Sequence, residues 1–377
     1  MKARVSDHEK HRRREKRRKR RRDIRKLIFA TICAFIVMLF ATGMTLTTLL
    51  MRQKFGRVDY PPAKYTYSYR YSHYKDKYPR EKVSFKSGKN TLHGYIYGNG
   101  NNDKGVIIFA HGIGAGHENY MTMLVKFVDR GWKVFAYDAT ASCTSEGRRT
   151  KGLAQSAIDL DKALDFAESD SRLKDLPHFV MGHSWGGFAA AAVLNFDHDV
   201  KACVTLSGYC DPMTELIEAS EVMLGGEQAK YMSPFIWIYN KIEFGKYSSL
   251  SAVDGINKAG IPVLVVHGTN DKTVRYDGAA IINQQDRITN PNVEYLTMDK
   301  KRRKGHNSYL YSAKTIKYIR KKLDPEFNLL LKQYNGNIPD RALIAFYKSV
   351  DKELANGINT ELLKQVNEFF EAQLDAG

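Results

Sequence analysis

One stretch of the sequence decides the fold: His178-Phe179-Val180-Met181-Gly182-His183-Ser184-Trp185-Gly186-Gly187. It begins as an apolar run typical of a buried strand and then enters the pattern G-x-S-x-G. Four alanines, Ala189 to Ala192, follow and indicate a helix of small residues. This order predicts a serine on a strained turn between a strand and a helix, where only small neighbours allow the two elements to approach closely.

Short apolar runs on both sides of this stretch predict strands that are buried on both faces. They are residues 105–110, 133–137, 178–181, 202–206, 263–267 and 293–298, after a β-hairpin at 82–86 and 91–97. Helical periodicity fills most of the gaps, at residues 120–130, 153–169, 185–195, 277–285 and 309–323. The alternation predicts an α/β fold with a mostly parallel central sheet and helices on both faces.

A serine hydroxyl is a poor nucleophile unless an imidazole takes its proton, so Ser184 implies a histidine and an acid elsewhere. His306 lies in a loop just after the last predicted strand, and Asp271 follows strand 263–267 and a short turn. The order Ser184, Asp271, His306 is the order of a triad in folds that carry this motif. We predict these three as catalytic residues. The alternative is that Asp271 only forms a turn and His306 only occupies a surface loop.

Backbone N–H donors are needed for the charge that develops on the substrate oxygen during attack. The amide of Trp185, directly after the serine, is one predicted donor of this oxyanion hole. The second is the amide of Ile113, in the segment that ends the strand 105–110, with Gly114 as the alternative. His111 is predicted to brace this loop rather than to take part in catalysis.

These segments together resemble the α/β-hydrolase superfamily, and within it the group of serine aminopeptidases and monoacylglycerol lipase-like enzymes. The resemblance covers roughly residues 82–323. It implies an α/β-hydrolase fold and a serine hydrolase activity that uses no metal or organic cofactor. It also implies structural roles for His183 and His267.

The chain departs from that group in one loop. Members of the group carry D-x-x-G-x-G-x-S-x-G at the end of the strand before the second helix. This chain keeps Asp138, Ser145 and Gly147 but has Ala141 and Cys143 at the two middle glycines. The departure leaves the local turn and the role of Cys143 open, although no imidazole is assigned to Cys143 as a nucleophile would require.

The positive charge of the chain is concentrated at one end. Residues 2–26 hold fifteen Lys or Arg against four Asp or Glu, a net of +11 out of +18 for the whole chain. Residues 27–51 then contain no charged side chain, and at about 1.5 Å per residue they can cross a hydrocarbon layer about 30 Å thick. We predict a basic cytoplasmic tail (1–26) and a transmembrane helix (27–51), with the rest of the chain extracytoplasmic because flanking positive residues stay inside.

A signal peptide and a buried core helix are the other interpretations of this end. A signal peptide has a shorter apolar region and a small-residue cleavage site, whereas this one ends Leu49-Leu50-Met51-Arg52; a buried core helix is the remaining alternative. The basic block suits anionic headgroups, and because it lacks interleaved aromatic residues we expect no nucleic acid partner.

Three further regions complete the predicted organisation. Residues 52–79 form a tyrosine-rich stalk that either meets the headgroups or packs along the catalytic domain, residues 80–323. Within that domain, residues 211–248 are an insertion rich in Met and aromatic residues, either a lid over an apolar pocket or a helical layer with its own core. Residues 324–377 form a helical extension.

The sequence gives little support to a metal site, an organic cofactor or a disulfide framework. No His, Cys or carboxylate cluster has metal-ligand spacing, so no metal or organic cofactor is expected. Outside the apolar helix the cysteines are Cys143, Cys203 and Cys210, an odd number for a disulfide framework. We expect buried thiols, while one disulfide, such as Cys203 with Cys210, stays open.

The predicted function is hydrolysis of a carboxylic ester with a lipid-like or apolar acyl group, through an acyl-enzyme on Ser184. A serine aminopeptidase or an acyltransferase would use the same triad. An inactive hydrolase scaffold that binds a partner at the membrane is the alternative from another class. The substrate and the oligomeric state are left open.

Overall fold

A computed structural model of the protein describes residues 7–98 and 100–374. The chain divides into two compact units, Met1–Met51 and Arg52–Gly377. Helix α1 (Asp7–Lys54) forms the described part of the first unit and continues into the second. Among the described residues, it is the one helix long and apolar enough to cross a membrane.

Eight strands form a single sheet in the second unit. They are β1 (Arg80–Ser87), β2 (Asn90–Tyr97), β3 (Val106–Ala110), β4 (Lys133–Asp138), β5 (His178–His183), β6 (Val200–Leu206), β7 (Val263–Gly268) and β8 (Val293–Met298). Their order in the sheet is β1-β2-β4-β3-β5-β6-β7-β8. β1, β2 and β4 pair antiparallel, and all other neighbours pair parallel. This is the mostly parallel sheet expected from the sequence.

The central strands are apolar because both of their faces are covered. Every residue of β3, β5 and β7 is buried, as continuous apolar runs predict for strands between two helical layers. The predicted strand boundaries lie within two residues of the observed ones. The alternation of apolar runs with helical segments therefore predicted the sheet correctly.

Helices cover the sheet and form the insertion. They are α2 (Tyr71–Tyr74), α3 (Met121–Val128), α4 (Gln155–Ser169), α5 (Trp185–Ala192), α6 (Pro212–Leu224), α7 (Ser233–Phe244), α8 (Ala252–Ala259), α9 (Ala313–Tyr318), α10 (Asp324–Gln333), α11 (Asp340–Ser349), α12 (Lys352–Ala355) and α13 (Thr360–Glu371). Helices α6 and α7 form most of the predicted insertion. Short 3-10 turns and a π turn at Ile319–Leu323 join several of them.

The helix predicted for residues 277–285 is wrong. Only a 3-10 turn, Ile281–Gln284, forms there. The backbone pairs instead with the end of β6: Cys210 N–H donates to Ala279 O at 2.7 Å, and Ile281 N–H donates to Gly208 O at 3.0 Å. These tertiary bonds use the groups that a helix would have bonded internally.

The helix predicted for residues 309–323 is interrupted near its start. Tyr311 forms a bridge with Ile358, and α9 begins only after Ser312, whose side chain accepts from Thr315 N–H. A capping serine starts a new helix because it satisfies one of the unpaired amides of the first turn. The periodic pattern carried no sign of this break.

The tyrosine-rich segment packs on the hydrolase unit. Tyr78 is buried in the main core, and Tyr71 and Tyr74 pack against that core. Tyr67 joins a second cluster with Phe346 from α11. For these residues, packing along the domain is the arrangement the structure has.

Candidate active site

Ser184 lies on the turn between β5 and α5, with φ 58° and ψ −115°. The left-handed φ is costly for a residue with a Cβ, so the surroundings must hold it in place. Glycine is required nearby: a Cβ on Gly186 would lie 2.0 Å from Ala110 O, and one on Gly182 would lie 2.0 Å from Gly186 O. The small residues of the motif thus permit the close crossing of strand and helix that presents the serine.

The three predicted catalytic side chains meet at the carboxyl edge of the sheet. Ser184 Oγ donates to His306 Nε2 at 2.8 Å, and His306 Nδ1 donates to Asp271 Oδ2 at 2.6 Å. The serine follows β5, the aspartate follows β7 and the histidine follows β8. Parallel strands end at the same edge, which is why residues far apart in the chain come together here.

Asp271 accepts three hydrogen bonds: one from His306, and two at its Oδ1 from the amides of Thr273 at 2.8 Å and Val274 at 3.0 Å. His267 Nε2 donates to the carbonyl of Val274 at 3.0 Å and lies 3.2 Å from Asp271 Oδ2. Burial by itself would raise the pKa of Asp271, but the nearby His267 and the hydrogen bond from His306 outweigh it and hold the pKa well below its usual value. The group is therefore a carboxylate that can orient and stabilise a charged imidazole.

A second chain of hydrogen bonds connects the loops of the site. Gly112 N–H donates to Tyr120 Oη at 3.1 Å, Tyr120 donates to His183 Nδ1 at 2.9 Å, and His183 Nε2 donates to the carbonyl of His306 at 3.2 Å. Burial, together with the neighbouring His306, lowers the pKa of His183 to about 3. A neutral His183 has one donor and one acceptor nitrogen, and both are used here. The role of Tyr120 has no signal in the sequence. Its partner His183 lies 63 residues away, and its other partner, Gly112, lies eight residues before it and bonds through its backbone.

The predicted oxyanion-hole amides lie on neighbouring elements. Trp185 is the first residue of α5, and Ile113 follows β3, which pairs with β5 through Ala110 and Gly182. His111 braces this loop: its Nδ1 donates to Gly112 O at 2.8 Å, and its Nε2 accepts from the next loop at 2.9 Å. The assignment of the amides of Trp185 and Ile113 as donors stays a prediction.

The loop with the two missing glycines keeps a conformation that suits glycine. Ala141 has φ 59° and Cys143 has φ 46°, both in the left-handed region. Burial, and then the charge of Asp138, raise the pKa of Cys143 to about 12. Cys143 is therefore a thiol at neutral pH rather than a reactive thiolate. All four cysteines of the chain are free.

One group of residues has the composition of a metal site. Ligand atoms of Asp161, Asp165 and His198 lie within 4.8 Å of one another. His198 already contacts Asp161 at 3.0 Å and Glu168 at 3.1 Å, and Lys162 pairs with both aspartates. The charges are thus compensated by side chains of the protein.

Comparison with known proteins agrees with this architecture. Residues 101–235 match the family model described as serine aminopeptidase, S33. An uncharacterised abhydrolase domain-containing protein of Dictyostelium discoideum is 31% identical over 152 residues, which are 39% of this chain and 15% of that relative. The chain thus spans about 15% of the length of this curated relative.

Two solved structures resemble the chain over about three quarters of its length. An α/β hydrolase from Vibrio vulnificus superposes with a TM-score of 0.52 and 17% identity, over 75% of this chain and 93% of that one. The esterase Pf2001 of Pyrococcus furiosus has a TM-score of 0.49 and 19% identity, over 77% of this chain and 99% of that one. The superposition on the Vibrio vulnificus structure shows that the chain has the α/β-hydrolase fold, and the serine aminopeptidase match is confined to residues 101–235.

Proposed function

We propose that the protein is a membrane-anchored serine hydrolase that cleaves carboxylic esters with apolar acyl groups. The observation that carries this proposal is the unbroken contact from Ser184 Oγ through His306 to Asp271, at 2.8 and 2.6 Å. The first distance is within the range in which proton transfer between serine and imidazole is effective, and the second lets the carboxylate orient the imidazole.

The proposed mechanism is a two-step acyl transfer. His306 takes the proton of Ser184 while Ser184 Oγ attacks the ester carbonyl. The amides of Trp185 and Ile113 bind the carbonyl oxygen of the substrate, which becomes negative. His306 then protonates the departing alcohol, which leaves an acyl-serine. In the second step His306 takes a proton from water, the hydroxide attacks the acyl group, and the acid is released as Ser184 regains its proton. Asp271 stabilises the charged imidazole in both steps.

The insertion supports an apolar substrate. Five large apolar residues on or between α6 and α7 are more than half exposed: Val222, Met223, Tyr231, Trp237 and Ile242. Exposed apolar surface of this kind is suited to contact with acyl chains or a lipid layer. The long apolar helix α1 supports the same environment, with the basic tail on anionic headgroups and the catalytic unit outside.

A fluorophosphonate probe tests the nucleophile directly. We expect it to label the wild type and Ser249→Ala, an exposed serine directly after the insertion, and not to label Ser184→Ala. His306→Gln should label at least about 100-fold more slowly, because the general base is gone. A folded wild type that resists labelling would instead favour the scaffold that binds a partner without catalysis.

Substrate preference needs a separate measurement. The match to a serine aminopeptidase model favours peptide cleavage as the second candidate function. Release of p-nitrophenol from butyrate and decanoate esters, compared with p-nitroaniline from aminoacyl anilides, separates the two. We expect the esters to be cleaved at least about tenfold faster. Transfer of the acyl group to an added alcohol would indicate an acyltransferase.

The orientation in the membrane has its own test. A tag at the C-terminus should be digested by protease added to intact cells, whereas a tag at the N-terminus should be protected. Digestion of the N-terminal tag alone would reverse the proposed topology.

A further inference from the structure

A short segment after helix α1 lies along the loop in which Ala141 and Cys143 replace the two glycines of the similar group. We call residues 55–60 the clamp segment and residues 138–147 the Asp138 loop. Val58 N–H donates to Ala141 O at 3.0 Å, and Cys143 N–H donates to Val58 O at 2.7 Å. The clamp segment therefore pairs with the Asp138 loop as a strand would, at its two non-glycine residues with positive φ, Ala141 and Cys143.

Arg57 adds side-chain bonds to the same loop. Its guanidinium donates to the carbonyls of Cys143, Ser145 (2.8 Å) and Gly147 (3.2 Å). A guanidinium has five N–H donors in a fixed plane, so one side chain can bind several carbonyls at once. Three carbonyls of an irregular loop are thus satisfied by one residue from outside the loop.

Tyr60 contacts two further segments of the unit. Its hydroxyl donates to Asp138 Oδ1 at 3.1 Å and accepts from Glu118 N–H at 2.9 Å. It also fills the space beside Gly116, where a Cβ would lie 2.3 Å from the Tyr60 oxygen and 2.6 Å from Cys143 Sγ. One hydroxyl therefore connects the Asp138 loop with the segment that follows the predicted oxyanion hole.

The loop with Ile113 depends on these same groups at both of its ends. At its start, His111 Nε2 accepts from Ala139 N–H at 2.9 Å. At its end, His117 N–H donates to Asp138 Oδ1 at 2.9 Å, and Asp138 is fully buried. A shift of the Asp138 loop would therefore move both ends of the loop that carries the proposed donor Ile113.

We propose that Tyr60 is a positioning residue for the oxyanion-hole loop, and that the clamp segment is part of the catalytic unit rather than a passive connection to the apolar helix. The inference rests on the proposed function, because it assigns a consequence for acyl transfer. Tyr60 does not contact the reacting atoms. It acts through Asp138 and through the backbone at Glu118.

Tyr60→Phe in the full-length protein in detergent micelles tests this inference. The variant keeps the ring, over which the guanidinium of Arg70 stacks at 4.2 Å, and removes only the hydroxyl. For p-nitrophenyl butyrate we expect kcat per fluorophosphonate-titrated site to fall about 5- to 20-fold with KM within about twofold, because misplaced donors weaken binding of the transition state more than of the substrate. The inhibition constant of butaneboronic acid, whose adduct with serine places an oxygen in the oxyanion hole, should rise by a similar factor.

Tyr65→Phe is the matched control. It removes another hydroxyl of the tyrosine-rich segment 52–79, outside the clamp segment, which donates to Asp340 at 2.6 Å on the surface, so kcat and boronate affinity should stay at the wild-type values. Arg57→Gln is a second test variant, in which the loop loses its carbonyl contacts while Tyr60 is retained. We expect it to lower kcat in the same way.

The outcomes separate this inference from the proposed function. An active wild type with unchanged kcat and boronate affinity in Tyr60→Phe and Arg57→Gln would overturn the positioning role alone. Equal losses in Tyr65→Phe would also overturn it, since any tyrosine of the segment would then suffice. A wild type with neither labelling nor turnover would overturn the proposed function, and the inference with it. Counting only titrated sites removes the effect of unfolded protein from each comparison.

Discussion

Ala141 stands where the similar group has glycine, and it keeps the left-handed backbone conformation that suits glycine at a cost in stability. Its φ of 59° places its Cβ in a region that costs a residue with a side chain roughly 1–2 kcal/mol, whereas glycine adopts it freely. The clamp segment bonds to its carbonyl and so contributes to holding the strained turn. The cost should therefore be recoverable by substitution.

Ala141→Gly should increase the free energy of unfolding by about 0.5–1 kcal/mol, since relief of the left-handed strain exceeds the added entropy of the unfolded glycine. Urea denaturation of the purified protein measures it. Ala342→Gly in helix α11 is the control and should lose about 1 kcal/mol, because glycine weakens an ordinary helix. Loss of stability in both variants would contradict the strain argument.

Helix α6 carries a buried acid whose titration opposes folding at high pH. Glu215 is 7% exposed, and its Oε2 is enclosed without a hydrogen-bond partner among the described residues. Burial, followed by the charges of Glu218 and Asp271, raises the pKa of Glu215 to about 9. The folded state therefore binds a proton that the unfolded state releases near its ordinary pKa of 4.5, so stability falls as pH rises between these values.

Glu215→Gln removes this dependence. Between pH 6 and 9 its thermal midpoint should change less than that of the wild type, and at pH 9 it should be more stable by at least about 1 kcal/mol. Glu221→Gln, on the same helix and paired with Arg275 at 3.6 Å, should keep the wild-type pH profile. An unchanged profile in Glu215→Gln would contradict the assigned titration.

The loop between β8 and His306 contains five consecutive cationic residues, 300–304. It is attached to the turn before Asp271, since Asn270 N–H donates to Lys304 O at 2.7 Å. Positive charge at the rim of a site attracts anionic substrates, and salt screens this attraction over about 10 Å. For mono-p-nitrophenyl glutarate, whose acyl chain ends in a carboxylate, kcat/KM should fall about five- to tenfold between 20 and 300 mM NaCl.

A neutral ester and a matched variant check the electrostatic origin. p-Nitrophenyl valerate should show less than about twofold change with salt. The substitutions Lys301→Gln, Arg302→Gln and Arg303→Gln together should remove the salt dependence with glutarate. The control removes three positive charges from helix α9 and the turn after it, by Lys314→Gln, Lys317→Gln and Arg320→Gln. This control should leave the salt dependence intact.

At the scale of the whole molecule, the last helix completes the core around the first parallel strands. Phe370 is fully buried and lies edge-on to Phe179 of β5 at 5.1 Å, and Trp132 donates through Nε1 to Asn367 at 2.9 Å. Helix α13 is thus packed in the main core, although it belongs to the segment predicted as a C-terminal extension. Helix α13 therefore contributes to the stability of the sheet.

Phe370→Ala should therefore lower the free energy of unfolding by about 3–5 kcal/mol, as expected for truncation of a buried aromatic residue. Lys364→Ala, on the exposed face of the same helix, should stay within about 0.5 kcal/mol of the wild type. Urea denaturation of both variants measures the difference. A loss below about 1 kcal/mol for Phe370→Ala would mean that the helix is not part of the cooperative core.

The sequence by itself determined the sheet, the turn serine and the apolar helix, because each is encoded in a local pattern. Alternating apolar runs and helical segments predict buried parallel strands, and G-x-S-x-G between them predicts a crossing that only glycine permits. The acid and the histidine could be chosen because they follow strands that end at one edge. Local periodicity failed at residues 277–285, where backbone groups bond to another strand end instead of within a helix.

Only the tertiary structure decided how the site is supported. Tyr120, His183 and Tyr60 act through partners that are far away in the chain or bonded through backbone atoms, and neither kind of contact leaves a pattern in the sequence. The left-handed turn at Ala141 and Cys143 likewise persists because the clamp segment pairs with it. Hydrogen bonds between distant segments form only once the sheet has brought them together, so their location follows from the fold and not from local sequence.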